Sequence, residues 1–313
     1  MSSTAFPTSE QPLQVRLDLP PVPVARPGRW VAAAFVALLV AWLAWIVVTN
    51  PNFQWPVVGK YLFSKEILEG VKLTIELTAS AMAIGVTLGI VAALMRLSHN
   101  PLLRGAGTFY VVTFRGTPAL VQLVFWFNLA ALFPKITLGV PFFGPDWMTI
   151  DANAVITPFV AANLGLGLCE GAYMAEIVRA GILSVDPGQR EAGQALGLTR
   201  AQIMRRVVLP QALRVIVPPT GNQIISMLKL SSLASVISVT ELLSAAGLIY
   251  TRTYETIPLL IVASIWYLVL TSLLTIVQRA IERRLGRSVL DAGAEETSWP
   301  RLRSPSRLKQ ATD

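Results

Sequence analysis

Long apolar stretches alternate with shorter polar segments along most of the chain. Six stretches stand out, at about residues 30–49, 67–95, 107–133, 154–180, 212–240 and 257–280. Each is long enough to cross roughly 30 Å of hydrocarbon as one helix. The pattern therefore predicts an all-α polytopic membrane protein with about six transmembrane helices.

The composition agrees with this prediction and excludes several kinds of site. Of the 313 residues, 53% are hydrophobic and 14% are charged, and the mean hydropathy is +0.58, which is not typical of a soluble domain. The chain has one cysteine, Cys169, and one histidine, His99. These are too few for a structural zinc site or a Cys–His nucleophilic pair. We therefore expect no metal, no cofactor and no catalytic centre.

Basic residues are concentrated in alternate polar segments. Most of the 26 Lys and Arg residues lie before residue 30, near residue 100, between residues 179 and 214, or after residue 278. The other three loops share only Lys60, Lys65, Lys135 and Arg252. This asymmetry follows the positive-inside rule and predicts that both termini are cytoplasmic. The net charge of +8 then reflects membrane topology, and we expect no nucleic-acid partner.

The distribution of apolar residues predicts three parts. Residues 1–28 contain several prolines and no long apolar run, which predicts a disordered cytoplasmic tail. Residues 29–285 form the predicted transmembrane domain, and the polar, basic residues 286–313 form a second cytoplasmic tail. The first tail is too long and too weakly basic for the start of a signal peptide, so the stretch from Trp30 counts as a transmembrane helix.

The polar segment at about 182–210 predicts a pair of short helices. Asp186 can cap the first helix, with Pro187 at its first position. Gly197 stands where a left-handed C-cap is expected. Thr199, followed three residues later by Gln202, predicts a capping box that starts the second helix.

Both helices of this pair are amphipathic by their spacing. The first places three apolar side chains on one face, and the second separates apolar from basic positions. These positions are Ala192, Ala195 and Leu196, then Ile203, Val207 and Val208 opposite Arg205 and Arg206. We expect Pro210 to end the second helix and begin the next span.

Three structures fit such a helix pair. It can be a DNA-reading helix-turn-helix, an amphipathic loop on lipid headgroups, or a knob that fits a groove on a soluble partner. Both ends of the pair are tied to predicted membrane spans within a few residues, which favours the knob.

The segment resembles the cytoplasmic coupling loop of ABC importer permeases. That loop usually reads EAA, a glycine four residues on, and I-x-LP after nine more. The matching residues here are Glu191, Ala192, Gly193, Gly197, Val207, Leu209 and Pro210. In this family the loop contacts the ATPase, so the resemblance implies that role for these residues.

A wider resemblance covers roughly residues 66–285 and is to the polar amino-acid subfamily of these permeases. It is carried by stretches such as Phe114-Arg115-Gly116-Thr117-Pro118, Val121-Gln122-Leu123, Glu170-Gly171-Ala172-Tyr173, Pro218-Pro219 and Ser231-Ser232-Leu233. The chain departs from the family pattern at Gly193, which replaces the second Ala of EAA, at Leu230 and at Cys169.

The resemblance implies a fold, a function and partners. The fold would be that of a type I importer permease. The function would be uptake of a polar amino acid of the histidine, glutamate, glutamine, arginine or opine type across a bacterial cytoplasmic (inner) membrane. The partners would be two copies of an ABC ATPase, an extracytoplasmic solute-binding protein and a second permease chain. No G-x-x-x-x-G-K-[ST] motif occurs in the sequence, so ATP would be hydrolysed by another chain.

Charged residues inside the apolar stretches are candidates for the substrate path, because charge in hydrocarbon is costly. Glu170, Arg115 and Lys229 can supply the anionic and cationic contacts that a zwitterion needs, or they can pair across helices and fix the packing. Gln122 is a further candidate for the substrate path. Gln122 and Asn222 can instead form interhelical hydrogen bonds. Lys72 and Glu76, one helical turn apart, are predicted to pair with each other.

A second function remains open at this point. An ion-driven secondary amino-acid transporter would also be a polytopic helical protein, with discontinuous helices and carboxylates in corresponding halves. Such a transporter would leave the loop at 182–210 without an explanation.

Overall fold

The structure, a computed structural model, describes residues 27–139 and 146–296, with side chains described from residue 30 to residue 284 except at 136 and 138–148. It divides the chain into two units, and the boundary along the sequence lies between Phe53 and Gln54. The first unit contains helix α1 (Pro27–Thr49) and a 3-10 turn at Pro51–Phe53. α1 has the length and apolar composition of a membrane-spanning helix. The predicted tail at 1–28 lies outside the described residues, except for its last two, which begin α1.

The second unit consists of helices and one β-hairpin. In chain order its elements are α2 (Trp55–Tyr61), α3 (Lys65–Arg96), α4 (Pro101–Gly116), α5 (Ala119–Phe127), α6 (Leu129–Leu132), β1 (Lys135–Gly139), β2 (Asp146–Asp151), α7 (Ala152–Val155), α8 (Pro158–Leu183), α9 (Pro187–Ala195), α10 (Arg200–Ile203), α11 (Leu209–Leu230), α12 (Leu242–Thr253) and α13 (Thr256–Glu296). A π-helical segment at Met204–Val208 joins α10 to α11, and a 3-10 helix at Ser231–Ile237 follows α11.

α3 and α8 pack closely along a seam of glycines. Gly85 and Gly89 on α3 are four residues apart, as are Gly167 and Gly171 on α8. A Cβ atom at Gly85 would lie 2.7 Å from Cγ of Glu170, and one at Gly167 would lie 2.7 Å from Cγ2 of Ile84. The two backbones are therefore too close for any larger residue, which is the packing that paired G-x-x-x-G motifs allow in membranes.

The helical fold agrees with the prediction from the apolar pattern. In the part of the chain that the structure describes, α1, α3 and α13 are each long and apolar enough to cross a membrane alone. The segment from Arg200 to Thr253 also qualifies if its two parts, bent by 47° at Ser238–Glu241, form one broken span. α8 is 26 residues long and carries charged side chains in its second half.

Two predicted spans are not single helices. The stretch 107–133 breaks where α4 ends at Gly116 and Pro118 precedes α5. Pro118 forces the residue before it out of helical geometry, and Thr117 accordingly has an extended backbone. The stretch 212–240 is α-helical only to Leu230 and continues as the 3-10 helix.

The structure also contains a β-hairpin, which the all-α prediction did not include. β1 and β2 form an antiparallel pair in which Lys135 faces Asp151 and Thr137 faces Thr149. At the other end, α13 runs to Glu296, through the first part of the segment predicted as a tail at 286–313; residues beyond 296 lie outside the described residues.

Candidate functional site

The helix pair α9–α10 has the ends that the sequence predicts. The N–H of Gly188 donates to Oδ1 of Asp186 at 2.6 Å, and Pro187 is the first residue of α9.

α9 is followed by a glycine with a left-handed backbone, Gly197, which has a φ of +75°. The N–H of Gly197 donates to the carbonyl of Gln194 at 2.9 Å and that of Leu198 to the carbonyl of Gly193 at 3.1 Å. This is a Schellman motif, which satisfies the last carbonyls of α9 and turns the chain sharply.

α10 begins with the predicted capping box. The N–H of Gln202 donates to Oγ1 of Thr199 at 3.3 Å, and the N–H of Thr199 donates to Oε1 of Gln202 at 2.8 Å. Thr199 and Gln202 are three residues apart, so the start of α10 is determined by contacts between near neighbours in the sequence.

The expected end of the second helix at Pro210 is wrong. The π-helical segment Met204–Val208 continues directly into α11, and Pro210 is the second residue of α11. Proline has no N–H to donate to the preceding turn, and Pro210 follows the π-helical segment, where the N–H of Leu209 donates to the carbonyl of Met204. The second helix of the pair and the following long helix therefore form one continuous rod.

The helix pair has a buried base. Gly193, Ile203 and Val208 are buried, and the last two pack in a cluster with Val178 and Ile182 of α8. A Cβ atom at Gly193 would lie 3.0 Å from Cγ1 of Ile203, so glycine at this departure from the EAA pattern lets α9 approach α10 closely.

A side-chain bond adds to this base. Nη2 of Arg190 donates to the carbonyl of Ile182 at 2.6 Å, which ties α9 to the end of α8. The pair is thus attached to α8 by packing and by a charge-assisted hydrogen bond, and to α11 by covalent continuity.

The opposite side of the helix pair is exposed. Leu196 is 80% exposed, and other exposed residues of the pair are Glu191, Ala192, Ala195, Arg205 and Arg206. Of the other residues assigned to the coupling loop, Val207 is half-buried, whereas Gly197, Leu209 and Pro210 are exposed. The pair therefore presents an apolar tip, Leu196 at the turn between α9 and α10, together with exposed basic side chains, above a packed base.

Glu170 lies in the interior, on the face of α8 that packs against Gly85 of α3. Its side chain is buried, and Nε2 of Gln223 on α11 donates to Oε2 at 3.5 Å. Its other oxygen, Oε1, has no hydrogen-bond partner among the described residues. Tyr110 of α4, beside the adjoining Gly171, donates its O–H to the carbonyl of Leu168 at 2.7 Å.

Of the two explanations left open for these charges, the pairing of Glu170 with Arg115 or Lys229 is not found in the structure. Nη1 of Arg115 instead lies 3.4 Å from Oε1 of Glu176, and its guanidinium stands over the ring of Tyr173. Lys229 is exposed in the last turn of α11. The acid on α8 that contacts Arg115 is Glu176, six residues or nearly two turns further along the helix than Glu170, which explains the difference for Arg115.

Glu176 is the centre of a charge cluster that the sequence analysis did not identify. Its carboxylate lies 2.7 Å from Arg96 of α3, 3.4 Å from Arg115 of α4 and 3.1 Å from Arg179 of its own helix. The spacing of Glu176 and Arg179 was a usable signal, because residues three apart share a helix face. The contacts from Arg96 and Arg115 depend on the tertiary fold.

The remaining polar candidates form local or interhelical hydrogen bonds. Nε2 of Gln122 donates to the carbonyls of Phe114 and Thr117 at 2.9 and 3.1 Å, across the break between α4 and α5. Gln278 of α13 donates to Oδ1 of Asn222 at 2.9 Å, the expected interhelical bond. Lys72 and Glu76 pair at 3.6 Å, as predicted.

Comparison with known proteins agrees with this architecture. Residues 85–287 match the family described as "Binding-protein-dependent transport system inner membrane component". The arginine transport system permease protein ArgU of Corynebacterium glutamicum is 44% identical over 263 residues, which cover 83% of this chain and 81% of that protein. The L-cystine transport system permease protein TcyB of Bacillus subtilis is 40% identical over 70% of this chain and 86% of its own length.

A solved structure is similar as well. A chain described as the crystal structure of an amino acid ABC transporter with histidines has a TM-score of 0.59 and 37% identity, with 70% of this chain and 94% of that chain covered. The family match covers more than half of the chain, and it includes the glycine seam, the helix pair and Glu170. The chain is therefore a multi-pass membrane protein that belongs to the binding-protein-dependent transport system inner membrane components, the permeases of ABC importers.

Proposed function

We propose that this chain is the permease subunit of an importer for a polar amino acid or a close derivative. Its relatives are named for arginine, cystine and glutamine transport, which supports a polar substrate. The proposed partners are two copies of an ABC ATPase, an extracytoplasmic solute-binding protein and a second permease chain. The membrane would be a bacterial cytoplasmic membrane, with both termini and α9–α10 in the cytoplasm, as the basic residues predict.

The observation that carries the proposal is the exposed tip of α9–α10 on its buried base. Leu196 and the exposed arginines fit a groove on a soluble partner, in which one apolar anchor is surrounded by polar contacts. The base at Ile203 and Val208 keeps the tip from moving independently of α8. Movement of a bound ATPase would therefore be passed to α8 through packing and to α11 through the continuous helix.

For the substrate path, the proposal relies on Glu170. Its Oε1 atom is buried without a hydrogen-bond partner among the described residues, and such an atom can accept a bond from a passing ammonium group. Arg115, Gln122 and Lys229 remain proposed members of the path, although the structure does not gather them around Glu170. They would act at other points along the route.

A crosslinking experiment tests the coupling role. A cysteine at the exposed Ala201 should crosslink to the ATPase subunit, whereas one at the exposed Thr149 of β2 should not. The only natural cysteine, Cys169, is buried, so each variant can be labelled selectively in a Cys169→Ala background. The reverse crosslinking pattern would contradict the proposed orientation. A panel of amino acids tested on the cognate solute-binding protein would identify the substrate.

A further inference from the structure

A charged groove of about 530 Å³ lies between the first half of α3 and α12. Its charged and polar lining comes from both walls, and apolar side chains complete the lining. The polar lining is Glu66, Glu69, Lys72, Glu76, Thr240 and Arg252, and the apolar lining includes Leu73, Leu248 and Ile249.

The walls of the groove are held together by buried polar contacts. Glu241, fully buried, caps α12 by accepting from the N–H groups of Leu243 and Ser244 at 2.9 and 2.8 Å, and Tyr267 of α13 donates its O–H to the same carboxylate at 2.7 Å. The N–H of Leu242 donates to Oγ1 of Thr74 on α3 at 3.0 Å. α12 is thus fixed against α3 and α13, so the groove has a defined shape.

The charges on α3 show that the groove is open to water. Glu76 lies about 16 Å along the helix from Lys65, at 1.5 Å for each residue. The side chains of Lys72 and Glu76 are 76% and 50% exposed although they pair with each other. Exposure of both to hydrocarbon would be costly, so this face of α3 borders an aqueous space.

Two lining charges are left without an ionic partner. Lys72 pairs with Glu76, and Glu69 pairs with Lys65 at 3.8 Å. Among the residues whose side chains the structure describes, neither Glu66 nor Arg252 forms an ion pair. The groove therefore offers one carboxylate and one guanidinium without an ionic partner among the described side chains, together with apolar lining.

These features match the chemistry of a free α-amino acid. The guanidinium can hold an α-carboxylate in bidentate fashion, the carboxylate can accept from the α-ammonium group, and the apolar lining can hold the aliphatic part of a side chain. The volume lies in the range of small-molecule sites, about 300–1,000 Å³. A protein partner would need a broader surface than this concave site provides.

We propose that this groove is a receiving site for the transported amino acid, with Arg252 as the carboxylate contact and Glu66 as the ammonium contact. The substrate would occupy the groove on the extracytoplasmic side before it moves toward Glu170. This side follows from the proposed function, on which the inference rests.

Protection of a cysteine tests the proposal. A Thr240→Cys variant in a Cys169→Ala background, assembled with its ATPase in lipid nanodiscs without nucleotide, is treated with a membrane-impermeant maleimide. L-arginine or L-glutamine should slow the modification several-fold. Agmatine, which lacks the carboxylate of arginine, should not, and Arg252→Gln should abolish the protection. The Thr149→Cys variant, outside the groove, should react at the same rate with and without amino acid.

Two results would overturn the groove site. Protection by the solute-binding protein but not by free amino acids would make the groove a protein-docking surface. Equal reaction rates under all conditions would mean that nothing binds there. Uptake by the wild-type complex in proteoliposomes is measured in parallel, because a complex that takes up none of the amino acids would refute the proposed function instead.

Discussion

Gln223 of α11 donates to Glu170 of α8 across 3.5 Å, in the interior of the helical unit. This long contact is the only hydrogen bond of the carboxylate in the described part of the chain, and no cation in that part pairs with it. Among the described residues Glu170 is therefore not half of a buried ion pair, and this is the basis on which we propose a role in transport for it.

Glu170→Gln should abolish or strongly reduce uptake while the protein assembles normally. Glutamine keeps the shape and the contact with Gln223, and removal of a buried carboxyl group that lacks a cationic partner should not lower thermal stability. Uptake, basal ATPase activity and melting temperature of the reconstituted complex are the measurements. A variant that melts well below the wild type would indicate a structural role, and one that transports normally would exclude Glu170 from the path.

Gly197→Pro should uncouple ATP hydrolysis from transport without loss of the protein from the membrane. Proline cannot adopt the φ of +75° and has no N–H to donate to Gln194, so α10 would leave α9 in a different direction. Gly197→Asn is the matched control, because asparagine tolerates the left-handed conformation. Wild-type uptake and substrate-stimulated ATPase activity in the proline variant would refute this account of the coupling loop.

Gly89→Ala should destabilise the protein by about 1–3 kcal/mol, the usual cost of overpacking a dense interior. A Cβ atom there would clash with Cβ of Met174 and lie 3.0 Å from the backbone nitrogen of Ala175. At Gly105 of α4 nothing lies within 4 Å of the added atom, so Gly105→Ala should be neutral or slightly stabilising. Thermal unfolding in detergent compares the two variants, and equal melting temperatures would contradict the tight seam.

Glu176→Gln should lower expression and melting temperature, because three guanidinium groups would lose their shared counter-charge. The double variant Glu176→Gln with Arg115→Gln should recover part of the loss, since one repulsive charge is removed as well. Coupling energies in such networks are about 0.5–3 kcal/mol, and partial exposure of Arg115 to solvent puts this pair toward the lower end. Strictly additive effects in a double-mutant cycle would show that the two residues do not interact.

Local features of the fold were readable from the sequence, and tertiary ones were not. The caps at Asp186, Gly197 and Thr199 depend on neighbours a few residues away, so their residue types predict them. The partners of Glu176 depend on where Arg96 and Arg115 lie in space, and nothing in their spacing along the chain indicates this. The break at Pro118 and the paired G-x-x-x-G motifs are visible as residue patterns in the sequence. The prediction of spans used only the length of each apolar stretch, and length alone indicates neither feature.

The glycine seam has a mechanical consequence. Two helices whose backbones interlock at four positions cannot slide past each other without lifting apart, because each glycine pocket is filled by a neighbour's atoms. A force applied at the end of α8 would therefore swing α3 and α8 together as one lever. The flexing would take place at the joints of the unit, where α4 meets α5 and where the chain passes from α11 through Ser238 to α12. On this view the seam determines the direction in which the transporter can open.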